Sequence, residues 1–227
     1  MTPILEARDL TKRYHDFTLR DISVEIPPGC ITAFFGPTGA GKTTLMKLLT
    51  HQISASFGTV RVLGLGYDDR EKEIKNRIGY VPQEPNYYQD RSVDFNARFA
   101  ASFFERWDGG AFYRMLDEFR VGREKAVKRL SRGQKTLFSI ALALSHQADL
   151  LILDEPTAGL DIILRRTILE RLRKFVADGE RAVVVSSHIT DGLEDIAEYV
   201  NFLSEGRLVF QSEKDELLAR WKRIHFK

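Results

Sequence analysis

The chain has 227 residues, of which 43% are hydrophobic and 29% are charged, so it can bury one large core with smaller attached units. Its 34 Lys and Arg residues nearly balance 32 Asp and Glu residues, which gives no reason to expect nucleic acid as a partner. Cys30 is the only cysteine, and the longest apolar runs reach about half of the ~20 residues that span a bilayer. We therefore expect a cytoplasmic protein without direct membrane insertion, whose membrane role, if any, comes through a partner chain.

Strand patterns open the chain. Residues 4–10 and 17–26 place apolar side chains at roughly every second position, which predicts an antiparallel β start. The run "CITAFF" at 30–35 is continuously apolar and predicts a strand buried on both faces, followed by a glycine-rich loop and a helix over 42–53. A further edge strand is predicted over 58–64.

The segment 86–130 has a different pattern. Phe95, Phe99 and Phe103 recur every four positions and strand patterns are absent, so a helical insert is predicted. An aromatic stripe at this spacing is typical of a helix's own core, which is the first interpretation of these side chains.

Beyond residue 130, short apolar runs alternate with helical patterns. This alternation predicts a parallel sheet covered on both faces by helices, because parallel strands need crossover connections. The predicted elements are helix 134–146, strand 150–154, helix 162–177, strand 182–187, helix 191–200 and a hairpin over 201–211.

The loop "GPTGAGKT" fits the pattern G-x-x-x-x-G-K-[ST] through Gly36, Gly41, Lys42 and Thr43. Glycines let backbone N–H groups turn toward phosphate, and the start of the next helix presents the positive end of its dipole. The lysine neutralises the β- and γ-phosphates and the threonine hydroxyl binds Mg²⁺. With a strand before it and a helix after it, the loop predicts a nucleotide phosphate site.

Two acids end the apolar strand "LLILDE". A carboxylate at a strand tip beside the phosphate loop can hold Mg²⁺, and its neighbour can polarise the attacking water. We assign Asp154 to magnesium and Glu155 to the water.

The segment "LSRGQ" precedes a long helix. Ser131 followed three residues later by Gln134 is a capping box, which on its own predicts only a well-started helix.

Taken together, these motifs resemble the nucleotide-binding subunits of ATP-binding cassette (ABC) transporters over nearly the whole chain. "GPTGAGKTT", Gln83 in "YVPQEP", "LSRGQ", "LLILDE", "AGLD" and His188 in "SSHITD" occur in the order of that family. The resemblance implies an α/β fold: one ABC ATPase domain over 1–227 with a RecA-like P-loop NTPase core, an antiparallel β subdomain and an inserted α-helical subdomain over 86–130.

The family's roles transfer to matching positions. The resemblance implies Glu155, His188 and Gln83 in catalysis, and Thr43, Gln83 and Asp154 around Mg²⁺. Tyr14 matches the aromatic residue that stacks on adenine, although Phe17 lies close by in sequence. The expected ATP-binding residues are Tyr14, Gly36, Pro37, Thr38, Gly39, Ala40, Gly41, Lys42, Thr43, Thr44, Ser131, Gly133, Gln134 and Asp161.

The resemblance also implies partners. In this family the signature segment of one subunit binds the γ-phosphate held by another, so a second ABC ATPase subunit is expected, identical or not. Arg132 stands where the family usually has glycine. Membrane-spanning permease subunits are expected to bind a groove at the insert, which Phe95, Phe99, Phe103, Phe104 and Trp107 could line.

The resemblance implies ATP hydrolysis at the cytoplasmic face of the cell membrane, powering transport through the permease. The "VPQEP" context and the signature variant are similar to cassettes of exporters, which favours export. An alternative stays open: a soluble ABC ATPase that acts in protein or metal-cluster assembly.

Overall fold

Two sheets organise residues 2–188 and 192–220, the part of the chain that the computed structural model describes, apart from the Arg220 side chain. Their strands are β1 (Leu5–Arg13), β2 (Thr18–Ile26), β3 (Ile31–Phe35), β4 (Phe57–Val62), β5 (Leu65–Gly66), β6 (Ile78–Val81), β7 (Leu150–Asp154), β8 (Ala182–Ser187), β9 (Tyr199–Ser204) and β10 (Arg207–Glu213).

Helices connect these strands. They are α1 (Lys42–Leu49), α2 (Tyr67–Arg77), α3 (Val93–Ala101), α4 (Gly109–Glu118), α5 (Arg132–Ser145), α6 (Ile162–Val176), α7 (Leu193–Ile196) and α8 (Lys214–Arg220), with a 3₁₀ turn at Val127–Arg129. Among the described residues, no helix combines the length and the apolar character that crossing a bilayer requires.

The sheets differ in strand direction. One is antiparallel with the order β2-β1-β4-β5, and the other has the order β10-β9-β3-β8-β7-β6, parallel except for β10. The antiparallel start and the parallel sheet predicted from the sequence are both confirmed. Because β3, β7 and β8 are neighbours, their carboxyl ends bring the phosphate loop, Asp154 and the segment after Ser187 to one edge.

Two hydrophobic cores lie on opposite faces of the parallel sheet. Ile31 and Ala33 of β3 belong to one, and Phe34 belongs to the other, because strand side chains alternate between faces. The first core also contains α5, α6 and the insert. The second joins α1 to the antiparallel sheet, so the phosphate loop connects two packed elements, β3 and α1.

The segment between β6 and α5 contains α3, α4 and the 3₁₀ turn, and Val93, Ala97 and Phe112 pack in the first core. Phe95, Phe99 and Phe103 are 37%, 45% and 61% exposed, so their interpretation as the insert's own core is wrong. The apolar face of α3 that packs inward is formed by other positions. The division of the chain into subdomains stays a prediction.

Several elements differ from the sequence prediction, including β5 and α8, which were not predicted. The strand at 58–64 was expected at an edge, but β4 pairs with both β1 and β5. The sequence did not predict α2, because it buries only Tyr67 and Ile74 and is otherwise mostly polar and charged; β6 was also missed. The predicted helix over 191–200 is only α7, since Tyr199 and Val200 pair with β3; Asp191 lies outside the described residues.

Candidate functional site

The phosphate loop has backbone geometry that only glycine allows at two points. A Cβ on Gly36 would lie 2.1 Å from the Leu203 carbonyl oxygen, and Gly41 has φ 106°, where a Cβ would come within 2.9 Å of both Phe17 and Leu19. Pro37, Thr38 and Gly39 are exposed, so the loop is open to solvent between these two fixed ends.

Helix α1 begins directly after this loop without a side-chain cap on Gly41. The N–H groups of a helix's first turn lack partners within the helix, and the dipole favours an anion there. Thr43 and Thr44 are half-buried in the same turn. The loop and the helix start together therefore suit a phosphate group.

Lys42 is buried at the base of the loop. Its Nζ donates to the carbonyl oxygens of Gly36 at 2.8 Å and Pro37 at 3.1 Å, and lies 3.3 Å from Oε1 of Glu155. The ammonium group therefore lies between the phosphate loop and Glu155, the residue that follows β7.

Asp154 is the last residue of β7 and is 1% exposed. Its Oδ1 accepts a hydrogen bond from the Ser186 hydroxyl at 2.6 Å, whereas Oδ2 has no partner among the described residues. A buried carboxylate oxygen left unpaired is a candidate cation ligand. The donor set of Asp154 and the Thr43 hydroxyl therefore fits Mg²⁺.

Glu155 adopts φ 52°, an uncommon conformation for a residue other than glycine. Its N–H donates to the Ser186 hydroxyl at 3.1 Å, which holds the turn in place. Its Oε2 lies 2.6 Å from Nδ1 of His188, whose side chain is 42% exposed. Contacts thus join Lys42, Glu155 and His188 into one cluster beside Asp154.

The signature segment caps α5 as predicted. Gln134 N–H donates to Ser131 Oγ, and Ser131 N–H donates to Gln134 Oε1, both at 3.2 Å. A Cβ on Gly133 would lie 3.0 Å from the Leu160 side chain. The start of α5 therefore packs beside the loop 155–161, and no hydrogen bond or ion pair within the described residues joins Ser131 to Lys42.

The remaining predicted residues lie apart from this cluster. Asp161 caps α6 by accepting from Leu164 N–H at 2.9 Å. Gln83 is exposed after β6. Tyr14 is 46% exposed with Lys12 Nζ 5.6 Å from its ring centre, whereas Phe17 packs toward Gly41. Contacts do not connect Tyr14, Gln83 or Asp161 to Lys42, and their roles stay predictions.

A groove of about 1050 Å³ lies between the insert and the end of α1. Tyr88, Phe99 and Phe103 line it, and Phe99 meets each of the other two rings edge-on at 5.2 Å. Lys72, Lys75 and other polar side chains of α2 also line it. The groove thus combines aromatic and charged side chains.

Ser186 is the site residue that the sequence did not reveal. It contacts both Asp154 and Glu155, although 31 residues separate it from the nearer of them. A polar residue at the end of the apolar run "AVVVSS", two positions before His188, was the available signal.

Comparison with known proteins places these features in context. A family model described as ABC transporter matches residues 19–158. The lantibiotic transport ATP-binding protein SrtF of Streptococcus pyogenes is 32% identical, over 93% of this chain and 92% of its own. The bacitracin transport ATP-binding protein BcrA of Bacillus licheniformis is 31% identical, over 97% and 73%. The Nod factor export ATP-binding protein I of Cupriavidus metallidurans is 32% identical, over 96% and 74%.

Solved structures agree with this similarity. An ATP-binding subunit of an ABC transporter superposes with a TM-score of 0.86 at 25% identity, covering 96% of this chain and 92% of that one. An ATP-binding cassette solved as a dimer in a post-hydrolysis state with ADP and Pi superposes with a TM-score of 0.81 at 20% identity, covering 92% and 98%. The second likeness concerns the fold alone.

Proposed function

Since this chain belongs to the ABC transporter family and is an ATP-binding subunit that hydrolyses ATP to power transport, we propose that it drives export through separate membrane-spanning permease subunits. Among the relatives, one is named for Nod factor export and others for lantibiotic and bacitracin transport. Their similarity extends over almost all of this chain, which supports export over import. The protein would then act at the cytoplasmic face of the membrane.

The observation that carries the proposal is the cluster of Lys42, Glu155 and His188 beside Asp154. Lys42 and the backbone of 36–44 would bind the phosphates, and Tyr14 would stack on the base. Glu155 would take a proton from, or orient, the attacking water, and His188 would hold Glu155 and contact the γ-phosphate. Asp154, Thr43 and Gln83 would hold Mg²⁺, which neutralises charge that develops on the phosphates.

The position of Ser131 supports a second subunit. Ser131, Gly133 and Gln134 start α5 at a point that makes no hydrogen bond or ion pair with the described residues of the phosphate loop. Ser131 and Arg132 are exposed there, and a helix start favours an anion. We therefore assign this segment, together with Asp161, to the nucleotide bound by a second ABC ATPase subunit.

The aromatic groove supports a permease partner. A row of exposed rings is costly to leave in water, and large apolar patches with polar borders mark binding sites. An amphipathic helix from the permease would place apolar side chains on Tyr88, Phe99 and Phe103 and polar ones on α2. Gln83 is exposed directly after β6, the strand that carries the groove residue Tyr80, and we assign it the role of signalling the state of the permease to the nucleotide site.

The experiment is recovery of the partner from native membranes. Tagged Glu155→Gln protein is expressed in its own cell and locked with ATP, the membranes are extracted in mild detergent, and the bound chains are identified by mass spectrometry. We expect a stoichiometric multi-spanning protein. Phe99→Glu with Phe103→Glu should lose it, whereas Val209→Glu, at a 61% exposed apolar position on β10, should retain it.

Two results would contradict the proposal. Recovery of soluble companions alone, with the protein missing from membranes, would favour the assembly-factor alternative. A permease bound equally well by the double groove variant would keep the transporter function but remove the groove as its docking site.

A further inference from the structure

Tyr80 lies on β6, the edge strand beside β7. It pairs with Ile152, and side chains two residues apart on a strand point to the same face. Tyr80 and Asp154 therefore project to the same face of the sheet, where Tyr80 packs against the second core.

Both side chains carry a buried oxygen without a hydrogen-bond partner among the described residues: the Tyr80 hydroxyl and Oδ2 of Asp154. The Tyr80 hydroxyl can donate a hydrogen bond, whereas the ionised Asp154 carboxylate can only accept one. Burial, and then the charge of Asp154, raise the pKa of Tyr80 to about 12. The Gln52 side chain lies near enough to oppose this rise, although no hydrogen bond joins it to the hydroxyl. The hydroxyl thus keeps its proton at neutral pH and remains a donor.

Unpaired buried polar groups cost about 1–3 kcal/mol each, so two complementary ones on one sheet face call for an explanation. A water molecule can satisfy a donor and an acceptor that do not meet directly when the site is polar. Tyr80 also lines the aromatic groove together with Tyr88 and Phe99. Tyr80 therefore lines the groove and lies on the strand next to Asp154, on the same face of the sheet.

We propose that Tyr80 is a positioning residue, whose hydroxyl holds the Asp154 carboxylate through one bridging water in the orientation that binds magnesium. This inference rests on the role given to Asp154 in the proposed function. It adds a role for Tyr80, the first residue of the segment "YVPQEP", in which the resemblance assigned a role to Gln83 alone. Its consequence is a physical connection from the groove to the metal site, since a partner that shifts the Tyr80 ring also shifts the donor to Asp154.

Tyr80→Phe tests this, because it removes the hydroxyl and leaves the ring. In a Glu155→Gln background, the Kd of a fluorescent ATP analogue is measured in EDTA and with saturating Mg²⁺. We expect the Mg²⁺-dependent gain in affinity to shrink about tenfold, as is common when a group supporting a metal ligand is removed. The Kd in EDTA should not rise and the thermal midpoint without Mg²⁺ should not fall, whereas a merely structural role would change both.

Tyr87→Phe is the matched control. Tyr87 lines the same groove, but its hydroxyl is already hydrogen-bonded to Ser139 Oγ at 2.7 Å, so its loss should leave the Mg²⁺ gain unchanged. Asp154→Asn distinguishes failure of the proposed role of Asp154 from failure of the proposed role of Tyr80. If it keeps the full Mg²⁺ gain, the assigned role of Asp154 and this inference both fail. If it loses the gain while Tyr80→Phe keeps it, only the inference is overturned.

Discussion

Nδ1 of His188 lies 2.6 Å from Oε2 of Glu155, so the residue after β8 is hydrogen-bonded to the residue after β7. The other carboxylate oxygen, Oε1, lies 3.3 Å from Lys42 Nζ. Both oxygens of Glu155 are therefore engaged. A nucleotide whose phosphates attract Lys42 would free Oε1 for a water molecule, which links phosphate binding to preparation of the attacking group.

Glu155→Gln keeps the size of the side chain but removes its basicity. We expect the ATP hydrolysis rate to fall about 100-fold or more, the range typical for loss of a general base, while ATP binding persists and an ATP-bound dimer accumulates. Phosphate release and light scattering after size exclusion measure the two effects. Glu170→Gln, on exposed α6 surface, is the control. A Glu155→Gln protein with wild-type turnover would remove Glu155 from the mechanism.

Lys42→Ala removes the buried ammonium group. Because hydrogen bonds to charged groups contribute about 1.5–3 kcal/mol each, loss of phosphate contacts should raise the Kd for ATP by about 100-fold or more. Calorimetric titration of ATP measures this effect. Lys47→Ala lies in the same helix with an exposed side chain and should bind normally. Equal affinity in both variants would mean that the loop binds phosphate through its backbone alone.

Much of the fold could be predicted because the responsible signals are local. The run around Ile31 is apolar on both faces, as a central strand must be. In "GPTGAGKT", glycines stand at positions 36 and 41, where the structure leaves no room for a Cβ. Helix α2 escaped prediction because its burial rests on Tyr67 and Ile74 alone.

The candidate site was predictable as a set of residues but not as a network. Ser186 contacts Asp154 and Glu155 only because β8 pairs with β7, and strand order is a long-range property. The aromatic stripe shows the same limit. Its four-residue spacing fits either a core or a groove, and only the packing of α3 and of the turn that follows it places Phe99 and Phe103 at the surface.

Ser131→Arg separates binding from dimerisation. An arginine at the exposed start of α5 should block approach of a second subunit, so ATP-dependent dimer formation by Glu155→Gln protein should disappear. ATP binding by the monomer should stay close to normal, because Ser131 makes no contact with Lys42. Ser131→Ala is the control for capping alone and should cost about 1 kcal/mol of stability. Loss of ATP binding in the Arg variant would instead place this segment in the nucleotide site of its own subunit.

His146 makes stability depend on pH. It is 2% exposed, stacks on Phe104 and has Nε2 3.1 Å from the Ile78 carbonyl oxygen. Burial lowers its pKa, and Arg106 reinforces this effect. The Leu142 and Ile78 carbonyl oxygens, which can both accept only from the protonated ring, and Asp149 oppose it. Below about pH 6.5 the unfolded chain therefore binds a proton at this histidine and the folded chain does not. The free energy of unfolding decreases as the pH is lowered, until the folded pKa is reached.

Urea unfolding at about pH 7.5 and about pH 5.5 should show a smaller pH-dependent loss of stability in His146→Gln than in wild type. His15→Gln, at a nearly fully exposed position, should keep the wild-type loss, and an unchanged loss in His146→Gln would assign the pH dependence to other groups.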